Sequence, residues 1–350
     1  MDITVIIFLF GGLFLGWSLG ANDAANVFGT AVGTRMIRFK TAAIVCSIFV
    51  ILGAIISGAG TTETLGKLGA INALPGAFAA CVAAGISVYL MTKFGLPVST
   101  TQAIVGAIVG WNLYTGSQTN IKVLITILST WILCPIIAGL IAMFFYIITK
   151  KFIQNSKLHI LRLDAYTRTA LLLAGAFGAY SLGANNIANV MGVFVPISPF
   201  TDINIMNIFV FSSKEQLFLL GGIAIAIGVF TYSRKVMFTI GNDLSKLSPV
   251  AAFIVVISHS IVLFLFASQG ISSFLQSINL PSIPLVPVSS SQAVVGGVIG
   301  IGLLKGGKEV KWSIAGKIAL GWFTLPVIAA FISIFILFIL QNVFNLTVSF

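Results

Sequence analysis

Apolar runs of about 20 residues follow one another along the chain, at 3–34, 39–58, 74–93, 97–112 and 119–149, then at 166–197, 215–233, 248–268, 287–303 and 312–341. A helix needs about 20 apolar residues to cross a bilayer, so the pattern predicts an all-α polytopic membrane protein with little room for a soluble domain. The run 97–112 is short, rich in glycine and opens with Pro97, and 287–303 opens in the same way with Pro287. Pro followed by Ser or Thr suits a helix that starts inside the protein. Each short run is therefore read as one arm of a re-entrant hairpin, with 74–93 and 248–268 as the other arms.

The pattern also repeats itself. Ser18-Leu-Gly-Ala-Asn-Asp-Ala-Ala-Asn-Val-Phe-Gly29 returns as Ser181-Leu-Gly-Ala-Asn-Asn-Ile-Ala-Asn-Val-Met-Gly192, identical at nine of twelve positions. Pro97 to Gly110 returns as Pro287 to Gly300 with eight of fourteen identical, and Trp131 and Pro135 return as Trp322 and Pro326. Three blocks in one order define two repeats, 1–150 and 166–350, joined by a short basic linker, 151–165. Each repeat is expected to have three crossings plus one re-entrant helical hairpin. An odd number of crossings turns the second repeat upside down relative to the first.

Charge tests that topology. Only 8% of the residues are charged, against about 25% in soluble domains. With the N-terminus outside, the inside loops hold Arg35, Arg38, Lys40, Lys150, Lys151, Lys157, Arg162, Arg168, Arg234, Lys235, Lys246, Lys305, Lys308, Lys311 and Lys317. The outside holds Lys67, Lys122 and Lys214, and Lys93 is left unassigned. That asymmetry follows the positive-inside rule. It places both termini outside and accounts for the net charge of +11 without nucleic acid, for which a basic run interleaved with aromatics would be needed. The first helix lacks the basic flank of a signal peptide and is read as retained.

Most of the remaining polar and reactive residues have plain readings. Cys46, Cys81 and Cys134 lie singly in apolar runs as packing residues. His159 and His259 have no second ligand at metal spacing and read as structural. Gly106/Gly110 and Gly296/Gly300 are spaced for close helix packing. Gly302 to Lys308 has nucleotide-loop spacing, but Glu309 stands where Mg²⁺ needs a hydroxyl. With no catalytic triad or paired carboxylates, the chain is not expected to be an enzyme, and no cofactor is expected.

Two constellations are left. Asn22, Asp23 and Asn26, with Asn185, Asn186 and Asn189, are polar groups inside apolar segments, where they are costly and mark function. A helix that breaks at this Gly-Ala-Asn step would free carbonyl oxygens for a cation. Ser99, Thr100, Thr101 and Gln102, with Ser289, Ser290, Ser291 and Gln292, open the two half-helices. Free N–H groups and the positive end of the helix dipole make each turn an anion cradle that needs no Lys or Arg. Two cradles meeting near the midplane would hold one tetrahedral oxyanion.

On Gly20-Ala-Asn-Asp-Ala-Ala-Asn26, its copy at 183–189, and the Pro-Val-Ser-Thr-Thr and Pro-Val-Ser-Ser-Ser turns, nearly the whole chain resembles the inorganic phosphate transporter family. The resemblance implies a symporter importing phosphate with Na⁺, or else H⁺, by alternating access. It implies phosphate contacts at the two turns and Na⁺ contacts at Asp23, Asn26 and Asn189. The second copy departs from the family with Asn186 in place of Asp. Some relatives carry sulfate, so a sulfate permease stays open, as does a passive oxyanion channel. The short linker points to a compact transporter of the plasma (inner) membrane. Its partners would be phosphate or sulfate and the lipid bilayer; a homo-oligomer is left open.

Overall fold

The computed structural model describes residues 3–69, 71–94, 97–156, 159–205, 209–242, 247–307 and 310–350. Lys157, Lys246, Lys308 and Glu309, all used above, lie outside the described residues. The helices are α1 (Ile3–Asn22), α2 (Ala24–Gly33), α3 (Phe39–Ser57), α4 (Ala59–Gly69), α5 (Leu74–Lys93), α6 (Thr100–Thr115), α7 (Ile121–Asn155) and α8 (Ile160–Met191). A 3₁₀ turn (Gly192–Ile197) and a small antiparallel hairpin, β1 (Ile203–Ile205) with β2 (Phe209–Phe211), follow. Then come α9 (Ser213–Asn242), α10 (Pro249–Leu265), α11 (Gln269–Ser277), α12 (Ser290–Leu304) and α13 (Trp312–Asn342).

Among the described residues, six helical stretches are long and apolar enough to cross a membrane, and α10 with α11, bent by 67°, makes up to a seventh. The protein is a multi-pass membrane protein. Its outer flank is apolar, with Ile44, Phe144, Phe331 and Phe335 exposed, as lipid-facing side chains are. Several loops expected from the sequence contain helix: α4 and α11 are short helices, and α7 and α8 run well into 151–165.

Cross-packing fixes where the short helices go. A Cβ on Gly106 would strike the Pro326 carbonyl, and one on Gly110 the Ala330 carbonyl. In the other half, Gly296 meets Pro135 and Gly300 meets Gly139 in the same way. So α6 runs alongside and parallel to α13, and α12 alongside and parallel to α7. Each short helix packs on the long final helix of the opposite half. At about 1.5 Å per residue, their 16 and 15 residues are too short to span the roughly 30 Å hydrocarbon core. They begin at the centre and leave in opposite directions.

The two ends of the bundle differ in charge. At one end Arg168 donates to the Met36 carbonyl at 2.7 Å, Arg234 lies 6.0 Å from the Phe39 ring, and Lys235 donates to the Lys93 carbonyl at 2.9 Å. Lys93 thereby joins the basic end. At the other end Asn120 N–H reaches the Leu68 carbonyl at 3.2 Å, and Asn72 ties down the Phe350 carbonyl at 2.6 Å. There Lys67 bonds Glu63 at 2.6 Å and, with a smaller pull from Lys214, holds this exposed carboxyl below its usual range. Lys67, Lys122 and Lys214 thus share one end.

Candidate functional site

The asparagine motifs and the two Ser/Thr turns come together at the centre of the bundle. Asn22, Asp23, Asn26, Ser99, Thr100, Thr101, Gln102, Asn185, Asn186, Asn189, Ser289, Ser290, Ser291 and Gln292 are all buried. Each half-helix starts as its sequence predicts: Ser99 Oγ accepts from Gln102 N–H, and Ser289 Oγ from Gln292 N–H, both at 3.2 Å. These N-caps satisfy one free donor at each terminus.

Asn22 and Asn185 serve as clamps. Asn22 Oδ1 accepts from Val98 N–H at 3.1 Å, and Asn185 Oδ1 from Val288 N–H at 2.8 Å. Asn22 also donates to Thr92 Oγ1 at 2.8 Å, and Asn185 to the Leu263 and Val286 carbonyls at 3.3 Å each. Each anchors the segment that leads into a half-helix.

Of the other residues, Asn26, Asn189 and Thr101 link across the halves, while Thr100 and Ser291 bond within their own. Thr100 Oγ1 donates to Asp23 Oδ2 at 2.6 Å. Asn26 Nδ2 donates to Ser290 Oγ at 3.1 Å, and at 3.5 Å touches Asp23 Oδ1. Asn189 Nδ2 donates to Thr101 Oγ1 at 2.9 Å, and Thr101 donates to the Val288 carbonyl at 3.2 Å. Ser291 lies 3.1 Å from Ser289. The first motif therefore reaches the second turn, and the second motif reaches the first.

Matched oxygens are left over. Asn26 Oδ1 and Asn189 Oδ1, and Gln102 Oε1 and Gln292 Oε1, are buried without a partner among the described residues, and so are both side-chain heteroatoms of Asn186. An unsatisfied buried polar atom costs roughly 1–3 kcal/mol, so two pairs at equivalent positions are not accidental slack. Oxygen donors of this kind suit a hard cation. Asp23 is the only carboxylate in the buried set, and no Lys or Arg is buried among the described residues.

The structure adds detail to two sequence readings. The helix is interrupted only in the first copy, by a one-residue turn at Asp23, where Asn26 N–H bonds the Asp23 carbonyl at 3.0 Å; Asp23 itself keeps helical angles and Ile3–Gly33 runs on as one span. The second copy lies inside the unbroken α8. There Ile187 wedges against Gly58 and Gly221, where the first copy has the small Ala24. His259, read above as structural, meets a residue of the second turn. It is buried on α10 with Nε2 2.9 Å from Ser290 Oγ. No spacing signal pointed to it; its being an ionisable residue in an apolar segment was the one available sign.

A buried, doubled polar centre without Lys or Arg among the described residues, held in a multi-pass helical bundle, has the make-up of a membrane transporter for a small ion. The chain matches the phosphate transporter family over residues 19–273 and 280–348, and it belongs to that family. Relatives named as phosphate permeases include proteins of Methanocaldococcus jannaschii (29% identical, covering 96% of this chain and 98% of the relative) and Thermococcus kodakarensis (28%, covering 98% and 99%). One from Haemophilus influenzae is 25% identical over 95% and 96%. Among solved structures, a sodium-dependent phosphate transporter shares the fold with a TM-score of 0.77, at 23% identity, covering 97% of this chain and 99% of its own.

Proposed function

We propose that this protein imports inorganic phosphate by Na⁺ symport, with alternating access around the central site. The observation that carries the reading is the pairing of anion and cation chemistry in one buried centre: two half-helix N-termini beside Asp23 and the matched free oxygens of Asn26 and Asn189. The phosphate contacts are Thr100, Thr101, Ser290 and Ser291, with Ser99 and Ser289 as caps and Gln102 and Gln292 at the rim. The Na⁺ contacts are Asp23, Asn26 and Asn189. Asn186 offers a weaker neutral oxygen, while Asn22 and Asn185 hold the turns. The solved neighbour's sodium dependence supports Na⁺ over H⁺.

Every group in the centre is buried, so substrate enters only when the bundle moves, which favours a carrier over an open channel. Charge balance supports coupling. Moving divalent phosphate inward costs about 4.6 kcal/mol against about 100 mV, at roughly 2.3 per charge; two monovalent cations cancel that charge and a third adds drive. Labelled phosphate uptake into proteoliposomes, with Na⁺ and pH gradients imposed separately, tests the reading. Uptake driven by the Na⁺ gradient and inhibited less by sulfate than by phosphate is expected. Gradient-independent, non-saturating flux would overturn symport, and stronger inhibition by sulfate would reassign the substrate.

Two further outcomes follow. Thr100→Ala or Ser290→Ala should raise the phosphate KM by roughly tenfold, the worth of one hydrogen bond to a charged group, while Lys93→Gln should leave it near wild type. The opposite ranking would point to a basic site. The second outcome is topological. We read the two halves as inverted, with the basic end cytoplasmic and both termini outside, in the plasma membrane. Single cysteines at Glu63 and His159 should then label from opposite faces, and labelling from one face would sink the assignment.

A further inference from the structure

We propose that His259 is a positioning residue that fixes the Ser290 hydroxyl as a hydrogen-bond donor to the transported oxyanion. The inference rests on the transport reading above. α10 packs against α2, α7, α8 and α12, which brings His259 from the second half to a serine that also touches the first motif. Ser290 Oγ has His259 Nε2 at 2.9 Å and Asn26 Nδ2 at 3.1 Å. His259 Nδ1 is buried without a partner among the described residues.

That orphan nitrogen assigns the tautomer. A neutral imidazole carries one N–H. A buried N–H without an acceptor is rarer and costlier than a lone pair without a donor. The proton therefore sits on Nε2 and is donated to Ser290 Oγ. Asn26 donates to the same oxygen, so both hydroxyl lone pairs are occupied and Ser290 has only its proton to offer. The nearest protein acceptor is the Asp23 carbonyl, at the 3.5 Å limit, which leaves that proton for an ionised oxygen of the substrate.

The first-half turn is polarised the other way. Thr100 gives its proton to Asp23 Oδ2 at 2.6 Å and presents lone pairs, which suit a P–OH. Hydrogen phosphate, with one hydroxyl and three unprotonated oxygens that share two negative charges, satisfies both turns, whereas a fully ionised tetrahedral anion satisfies one. The two turns are alike in sequence but unlike in hydrogen-bond sense, and His259 supplies half of the difference.

The test is uptake of labelled phosphate by the full-length protein in proteoliposomes. His259→Leu should raise phosphate KM about tenfold with Vmax within about twofold, the signature of lost ground-state positioning. His259→Gln, whose amide N–H takes the place of Nε2–H, should recover KM to within about threefold of wild type. His259→Leu combined with Ser290→Ala should be no worse than Ser290→Ala alone, because both remove the same contact. If His259→Leu does not fold, His259→Met replaces it at comparable volume. An unchanged KM in the variant without the donor, or full additivity in the double variant, overturns the proposal while leaving phosphate transport intact. Absence of phosphate uptake by the wild-type protein overturns both.

Discussion

Asp23→Asn is expected to abolish concentrative phosphate uptake, while Asn186→Asp sustains transport and lowers the Na⁺ concentration needed for half-maximal rate. The Asn variant keeps the shape of the side chain, and its amide oxygen still accepts from Thr100, so the fold is retained. What it loses is the only formal negative charge in the buried centre. A cation about 4 Å from a carboxylate gains about 4 kcal/mol at an effective dielectric of about 20, roughly a thousandfold in affinity. Amide oxygens alone do not replace that. At the equivalent place in α8, both heteroatoms of Asn186 are without a partner, so a carboxylate there gains a ligand role and breaks no existing bond. Uptake against Na⁺ concentration, measured for wild type and both variants, checks the pair. Concentrative, gradient-driven uptake by Asp23→Asn would remove Asp23 from the coupling site.

Gly296→Ala and Gly106→Ala should each lower the thermal stability of the protein markedly. In both cases the added methyl meets the backbone carbonyl and Cα of a proline on the opposite half, Pro135 and Pro326. Backbone at a proline inside a helix cannot step aside as a flexible side chain can. Overpacking of this kind costs roughly 1–3 kcal/mol, a large share of a marginal stability. Because these contacts join the two halves, the loss should appear as a lower thermal midpoint in detergent together with lost uptake. Gly316→Ala is the control: its Cβ meets nothing within 4 Å, and it should keep wild-type stability. Equal midpoints for all three variants would overturn the close backbone packing of the α6–α13 and α7–α12 seams.

Much of the site was legible because its chemistry is expensive where it stands. An Asp and five asparagines in apolar helices, and two Pro-Ser/Thr turns, stand out in any hydrophobic pattern, and duplication separated them from isolated caps or packing amides. The apolar segments were legible for the same reason, since length and apolarity are what a bilayer selects; which of them cross was less so, because α5 (Leu74–Lys93), expected as a hairpin arm, is long and apolar enough to span. Less was visible wherever an outcome depended on a partner. Asn22 and Asn26 are equally polar in sequence, yet one clamps Val98 and the other crosses to Ser290. α4 and α11 looked like loops, because Thr62, Ser268 and their neighbours weaken an apolar signal without preventing a helix.

From the sequence alone came the membrane class, the doubled motifs, the family and the two sets of polar residues, all of which are properties of single segments and their spacing. The tertiary structure alone decided which motif faces which turn, that the one-residue helix interruption falls at Asp23 and not at Asn186, and that His259 stands against Ser290. Those facts depend on how α10, α12 and the two long proline-bearing helices pack across the halves. A histidine in an apolar run carries no mark of the neighbour it will meet: the contact is made by helices far apart in the chain, and only their packing brings Nε2 within reach of that hydroxyl.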